Sequence, residues 1–373
     1  MRILHMISSS GFYGAERVVL DLLCLARDQA WKPYLVCLKS AEKPDPELYG
    51  RAQECDIESY VFSCGAKIDM GTVRKLNGFV RAENIECIHA HGYKADVYAL
   101  MVSRSCRVPA VSTLHGWTGE DHKVGFYERI DRWIVRMFAH LVPVSPDIEE
   151  TLKHAGISAE KITCIPNAVD TSRFDPSDVE PFRTEWHLDG ALVFGSVGRL
   201  SPEKGHRMLI RAFSRIAAEF PRARLVITGE GPLRDNLRQL ASDEKIGEKV
   251  VFSGRQTEME RVYRTMNVFI LPSLTEGLPL ALLEAMSMAC PVIATRVGAI
   301  PGVVDPAQGM VVDPEETALT DAMRRFAADE SLRIRCAAAA RAKVIHEYDL
   351  ASFFGKYQQV YARVCPPRTE SRV

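Results

Sequence analysis

The sequence predicts an α/β protein made of two doubly wound parallel-sheet domains, one after the other, facing an interdomain cleft. Three observations carry this. The chain has 373 residues, more than one hydrophobic core organises, so two domains are expected. In the first half, short apolar runs with strand character alternate with stretches of helical spacing. After an irregular segment, the same alternation starts again. In such domains ligands bind beyond the carboxyl ends of the strands. Functional residues are therefore sought in the turns that leave strands, and in the cleft.

Taken in order, "RILHMIS" at the N-terminus reads as a first strand and "AERVVLDLLCLARD" as a helix, with Val18, Leu22 and Leu25 on one face. "PYLVCL", "IECIHAHG", "AVSTLHG" and "HLVPVS" read as further strands. The segment 166–181, "PNAVDTSRFDPSDVEP", is rich in Pro, Asp, Ser and Thr and reads as an interdomain linker. Beyond it, "ALVFGSVGRL" and "ARLVITGEG" are strands, each followed by a helix, and "KVVFSG", "VFILPS" and "PVIAT" are three more strands. From Thr317 to about Val364 the pattern is helical, and the last residues, "CPPRTESRV", are expected to fray.

Composition narrows the class. Hydrophobic residues make up 47%, charged residues 25%, and the net charge is −1, a balance that does not suggest a nucleic-acid partner. None of the ten cysteines forms a CxxC pair, which argues against a zinc ribbon or a dithiol redox site. They read as reduced, mostly buried thiols of a cytoplasmic protein. No run approaches the ~20 apolar residues of a membrane span, and the N-terminus lacks the pattern of a signal peptide. The stretch 125–140, "GFYERIDRWIVRMFAH", puts Phe126, Ile130, Trp133 and Met137 on one helical face and Arg129, Arg132 and Arg136 on another. It reads either as a helix packed on its own domain or as a peripheral contact with an anionic membrane.

Chemistry concentrates in a few turns. "PSLTEGLPLALLEAM" (272–286) carries Glu276 in a turn and Glu284 inside an apolar helix, with Gly277 and Pro279 between them. Pro279 suits the first helical turn, the amides that follow attract anions, and Gly277 lets a ligand approach the backbone. A carboxylate at Glu284 can accept two hydrogen bonds from a ribose diol. A dipole-complementing glutamate plus a surface glutamate would give the same spacing. In "GSVGRLSPEKG", Arg199 and Lys204 follow a strand inside a glycine-bounded loop, placed to neutralise a diphosphate or to lie solvated. Gly11 and Gly14 bound the first strand-to-helix turn, and His89, His91 and His115 stand at strand ends. The HxH at 89–91 suits either a zinc ligand pair, which would need partners at later strand ends, or structural hydrogen bonding. No DxD motif is present, and the two cations could take over the charge neutralisation a metal would provide.

Together these motifs resemble the family 4 retaining glycosyltransferases of GT-B fold. The resemblance rests on the E-x7-E pair Glu276 and Glu284, "VGRLSPEKG", "GFYGAE", "TLHG" and "IPNAVDTSRFDP". "GAIPGVV" is also similar, although the family often has an acidic residue where Gly302 stands.

The resemblance implies a nucleotide-sugar donor site. Arg199, Lys204 and the backbone of Gly277, Leu278, Pro279 and Leu280 would hold the diphosphate, Glu284 would bind the ribose, the backbone near Arg255 would read the base, Gly14 would serve the donor, and His115 and Glu276 would contact the donor sugar as catalytic residues. It implies an acceptor-side domain over 1–170, a donor-binding domain over 171–348, and a C-terminal helix within 349–373 crossing back to the first domain. The expected activity is retaining, metal-independent sugar transfer without a cofactor, from a UDP-sugar in preference to a GDP-sugar. The acceptor would be a glycan or a lipid-linked molecule in cell-envelope polysaccharide, lipopolysaccharide or glycolipid synthesis, in the cytoplasm or at the inner face of the membrane. A nucleotide-sugar hydrolase or epimerase on the same fold is the alternative, followed by a binding protein with a degenerate site.

Overall fold

The computed structural model describes residues 1–8, 11–65, 68–115 and 134–366. It divides into two compact units, Met1–Pro166 with Ala351–Val373, and Asn167–Leu350. The sequence stretch 116–133, which holds most of the amphipathic pattern at 125–140, lies outside the described residues.

The first unit holds a six-stranded parallel sheet. Its strands are β1 (Arg2–Ile7), β2 (Lys32–Ser40), β3 (Glu58–Cys64), β4 (Cys87–His91), β5 (Ala110–Leu114) and β6 (His140–Pro143). They lie in the order β3-β2-β1-β4-β5-β6. The two-residue period of a strand sorts its side chains onto two faces. Leu4 and Met6 of β1 join Tyr34, Val36 and Leu38 of β2 in one apolar cluster. Ile7 joins Leu35 and Cys37 in another, beneath the helix Gly14–Asp28. The helix Leu350–Val364 belongs to this unit from Ala351 onward and buries Phe353, Phe354, Tyr357, Val360 and Tyr361.

The second unit repeats the plan with β7 (Leu192–Val197), β8 (Ala223–Thr228), β9 (Val250–Gly254), β10 (Val268–Leu271), β11 (Val292–Thr295) and β12 (Gly309–Val312). Their order is β12-β11-β10-β7-β8-β9. Phe194, Leu225, Ile227, Val268, Ile270 and Ile293 fill one face, and Phe269, Leu271, Val292 and Ala294 the other. Strand order reverses between β7 and β10, and in the first unit between β1 and β4. Such a reversal opens the crevice where doubly wound sheets take ligands.

The segment 166–181, read as the interdomain linker, contains the boundary between the units at Pro166, and from Asn167 onward it packs on the second unit, with Val169 and Phe174 buried in its core. Its apolar residues find a surface, so its prolines shape a packed loop rather than a free one. Val169 N–H also donates to the Tyr348 carbonyl at 2.9 Å, and Thr171 Oγ1 donates to Asp349 at 3.0 Å. The beginning and the end of the second unit therefore lie side by side. The strands β3 and β12 were not expected from the sequence.

Candidate functional site

Two loops meet at the switch point of the second sheet. One leaves β7 and carries Arg199 and Lys204. The other leaves β10 and carries Glu276 ahead of the helix Leu280–Ser287. Their backbones touch: Leu274 N–H donates to the Glu203 carbonyl at 2.7 Å. Gly205 has φ +67°, and a Cβ there would lie 1.9 Å from the Pro272 carbonyl oxygen. Only glycine permits both the left-handed backbone and this approach.

The approach brings two charged side chains together. Lys204 Nζ lies 2.6 Å from Glu276 Oε1, and Ser273 Oγ donates to the same oxygen at 2.7 Å. The Glu276 side chain is 8% exposed and that of Lys204 25%, so the pair sits at the rim of the protein rather than free in solvent. Glu284 Oε2 accepts from Tyr263 O–H at 2.7 Å.

The stretch 277–280 is held by its carbonyls. Leu278 is buried and its carbonyl accepts from Asn167 Nδ2 at 2.7 Å. The Gly277 carbonyl accepts from Ala299 N–H at 3.1 Å. Gly298, with φ +52°, passes so close that a Cβ would lie 2.0 Å from the Glu276 carbonyl oxygen. The carbonyls are thus pinned by neighbouring elements just ahead of the helix. Pro279 stands at the cap, with φ −74° and ψ 129°, not inside the first turn. Its extended ψ keeps it out of the helix while its ring fixes φ.

Arg199 and Arg255 are exposed, following β7 and β9. Gly254 before Arg255 has φ +71°. His206, next to the Lys204 loop, is buried; Nε2 lies 3.4 Å from Ser196 Oγ, and Nδ1 has no hydrogen-bond partner among the described residues. Burial lowers its pKa to about 4.

In the first unit, Gly14 is exposed at the start of its helix. His115 follows β5, and its Nε2 lies 3.2 Å from His91 Nδ1. His5 of β1 adds a fourth imidazole, its Nδ1 3.1 Å from His91 Nε2. Burial lowers His115 to about 4 and His5 to about 3. His5, His89 and His91 each offer a ligand nitrogen within 4.8 Å of the others. His89, however, has Nδ1 2.6 Å from the Tyr361 hydroxyl and Nε2 2.8 Å from Thr113 Oγ1.

The structure thus unites Lys204 with Glu276 and links His91 to His115. Sequence reasoning passed over Ser273, Tyr263, Asn167, His206 and His5. Asn167 and Gly298 lay inside motifs noted for their resemblance. His5 gave no signal, because only the register of β1 on β4, which pairs it with His89, shows its neighbours.

Two doubly wound sheets of the same strand order, the second with a cationic and glycine-rich switch point, define a GT-B architecture. Residues 12–173 match the model of Glycosyltransferase Family 4 and residues 179–343 that of Glycosyl transferases group 1. The chain belongs to the family 4 glycosyltransferases. It is 26% identical over 309 residues to the UDP-Gal:alpha-D-GlcNAc-diphosphoundecaprenol alpha-1,3-galactosyltransferase of Escherichia coli, covering 80% of each chain. It is 26% identical over 337 residues to a glycogen synthase of Mycobacterium tuberculosis, covering 87% of this chain and 79% of that one. Among solved structures, Anabaena Alr3699/HepE in complex with UDP-glucose superimposes with a TM-score of 0.87 at 21% identity, covering 97% of this chain and all of that one. Among the described residues no helix is long and apolar enough to cross a membrane.

Proposed function

We propose that this glycosyltransferase moves a sugar, with retention, from a UDP-sugar to a lipid-linked or polysaccharide acceptor of the cell envelope. The observation that carries this reading is the Lys204–Glu276 pair at the switch point of the second sheet, beside the amide-bearing start of the helix Leu280–Ser287. UDP is favoured by the UDP-glucose complex of the Anabaena neighbour, and the envelope acceptor by the name of the E. coli relative.

In this reading the second unit binds the donor. Lys204, Arg199 and the N–H groups of Gly277, Leu278 and Leu280 hold the diphosphate, Glu284 the ribose, the backbone near Arg255 the base, and Glu276 the transferred sugar. The Gly14 turn and His115 serve donor and sugar from the first unit, which also takes the acceptor. Charge grows on the diphosphate as it departs, and fixed donors aimed at it lower the barrier. The sugar's C1–O bond to phosphate breaks and the acceptor oxygen bonds C1 on the same face. The acceptor's proton passes to the leaving phosphate oxygen. No carboxylate is needed as a nucleophile, and the two cations make a metal ion dispensable. With a lipid-linked acceptor, the reaction belongs at the inner face of the membrane.

The test is transfer of labelled sugar from UDP-glucose, UDP-galactose and UDP-N-acetylglucosamine to polyprenyl-diphosphate sugars, with and without EDTA. Label in the lipid fraction with α-linkage supports the reading. Label released only as free sugar assigns the chain to hydrolysis instead.

A further inference from the structure

The histidines of the first unit are more than a structural layer. Nδ1 of His5 lies 3.1 Å from Nε2 of His91, and Nδ1 of His91 lies 3.2 Å from Nε2 of His115. The ring centres are 5.3 and 5.5 Å apart with planes 12° and 30° from parallel. The linked nitrogens are much closer than the ring centres, so the imidazoles meet end to end. Each link joins a δ nitrogen to an ε nitrogen in the same sense. This repetition has a consequence for the protons.

A hydrogen bond between two neutral imidazoles holds one proton, and a neutral ring carries one N–H and one bare nitrogen. If His5 is protonated at Nδ1, His91 must accept at Nε2 and carry its own proton at Nδ1. His115 must then accept at Nε2 and carry its proton at Nδ1. In the opposite sense all three rings are protonated at Nε2. Any mixture faces two N–H groups or two lone pairs across a buried link, which leaves polar groups unsatisfied. Burial lowers His5 to about 3 and His115 to about 4, and burial and the neighbouring histidines hold His91 well below the ordinary histidine value, so the rings stay neutral at ordinary pH.

We propose that His5, His91 and His115 share one tautomer, so that His5 and His91 are positioning residues that decide whether His115 presents a donor or an acceptor at Nδ1. The consequence for catalysis rests on the reading of His115 as a sugar contact. A hydroxyl of the sugar meets an N–H in one sense and a lone pair in the other, and the choice is made two residues away from the substrate. His89 stands outside the chain, because Tyr361 and Thr113 occupy its two nitrogens, and Thr113 is in turn tied to the Tyr357 hydroxyl at 3.0 Å. Those two tyrosines belong to the helix Leu350–Val364.

The experiment is long-range 1H–15N correlation on wild-type protein labelled only at histidine, between about pH 6 and 8, with metal content measured on the same sample. The rings are assigned by their loss in His5→Leu, His91→Leu and His115→Leu. Three neutral rings in the same tautomer are expected. Different tautomers among the three, an imidazolium, or stoichiometric zinc on His5, His89 and His91 overturns the chain. His5→Leu should leave His91 and His115 with averaged shifts and lower kcat about tenfold with donor KM within about twofold. His5→Asn, which keeps a donor and an acceptor near the Nδ1 place, should restore most of the rate. A folded His5→Leu enzyme of full activity overturns the positioning role. Full activity of His115→Ala alongside three matching tautomers removes the sugar contact and leaves the chain standing. An inactive His115→Ala with mismatched tautomers does the reverse.

Discussion

Lys204 and Glu276, 72 positions apart in the chain, meet at 2.6 Å at the switch point of the second sheet. The sequence predicts a role for each, one for the phosphates and one for the sugar. The structure adds that the two side chains hold each other. A lysine ammonium has three donors, so one on Glu276 leaves others for phosphate oxygens. The carboxylate in turn is oriented by the ammonium and by Ser273.

Lys204→Ala and Glu276→Ala should therefore each lower kcat by about 10²–10³. Each should change unfolding free energy by no more than about 1 kcal/mol, as expected of a partly exposed pair. The double variant should lose little more than either single, because the two act as a unit. Steady-state kinetics with urea unfolding checks this, and additive losses would separate the residues.

Gly298→Ala should destabilise the second unit by about 2 kcal/mol or more and raise donor KM. Its backbone is left-handed and a Cβ would overlap the Glu276 carbonyl. The turn that presents Glu276 would have to shift. Urea midpoints and donor KM, compared with those of Gly302→Ala, decide it: a Cβ at Gly302 meets nothing within 4 Å.

Asn167→Ala should cost about 1–2 kcal/mol and weaken donor binding with kcat little changed. Its amide holds the Leu278 carbonyl, and with it the orientation of the amides that follow. An unchanged donor KM in a folded variant would show that this anchor is structural only.

Acid should destabilise the protein well above the carboxylate range. Burial lowers His5 to about 3 and His115, His140 and His206 to about 4. In the unfolded chain a histidine titrates near 6.5. Between about pH 6.5 and 4 the unfolded state binds more protons than the folded state, so stability falls as pH falls. Above about pH 6.5 this contribution is fully present and flat. Urea midpoints should drop steeply from about pH 6.5 to 4.5, and His140→Asn should flatten part of that slope.

The sequence made the central strands legible, and with them the edge strands β6 and β9, but not the edge strands β3 and β12. "VFIL" is a continuous apolar run, and "ILHMI" one broken only by His5, because both faces of these strands are covered. β3 pairs on one side only and just one of its seven residues, Cys64, is buried, so "ESYVFSC" reads like loop. β12, an outer strand of the second sheet, has three of its four residues only partly buried. Glu276, Glu284, Arg199 and Lys204 were readable because turn chemistry is local. Tyr263, Asn167 and His5 were not, since each acts through a partner more than 20 positions away in the chain. No spacing rule reaches that far.

The central claim is that the second unit holds a nucleoside diphosphate on Lys204, Arg199 and the N–H groups of Gly277, Leu278 and Leu280. Calorimetric titration of UDP into wild-type protein and into Lys204→Met, with and without EDTA, tests it most directly. The account predicts a single site in the wild type, no effect of EDTA, and affinity at least about tenfold weaker in the variant, about 1.4 kcal/mol. Equal affinity in the two proteins, or UDP binding that EDTA abolishes, would contradict it.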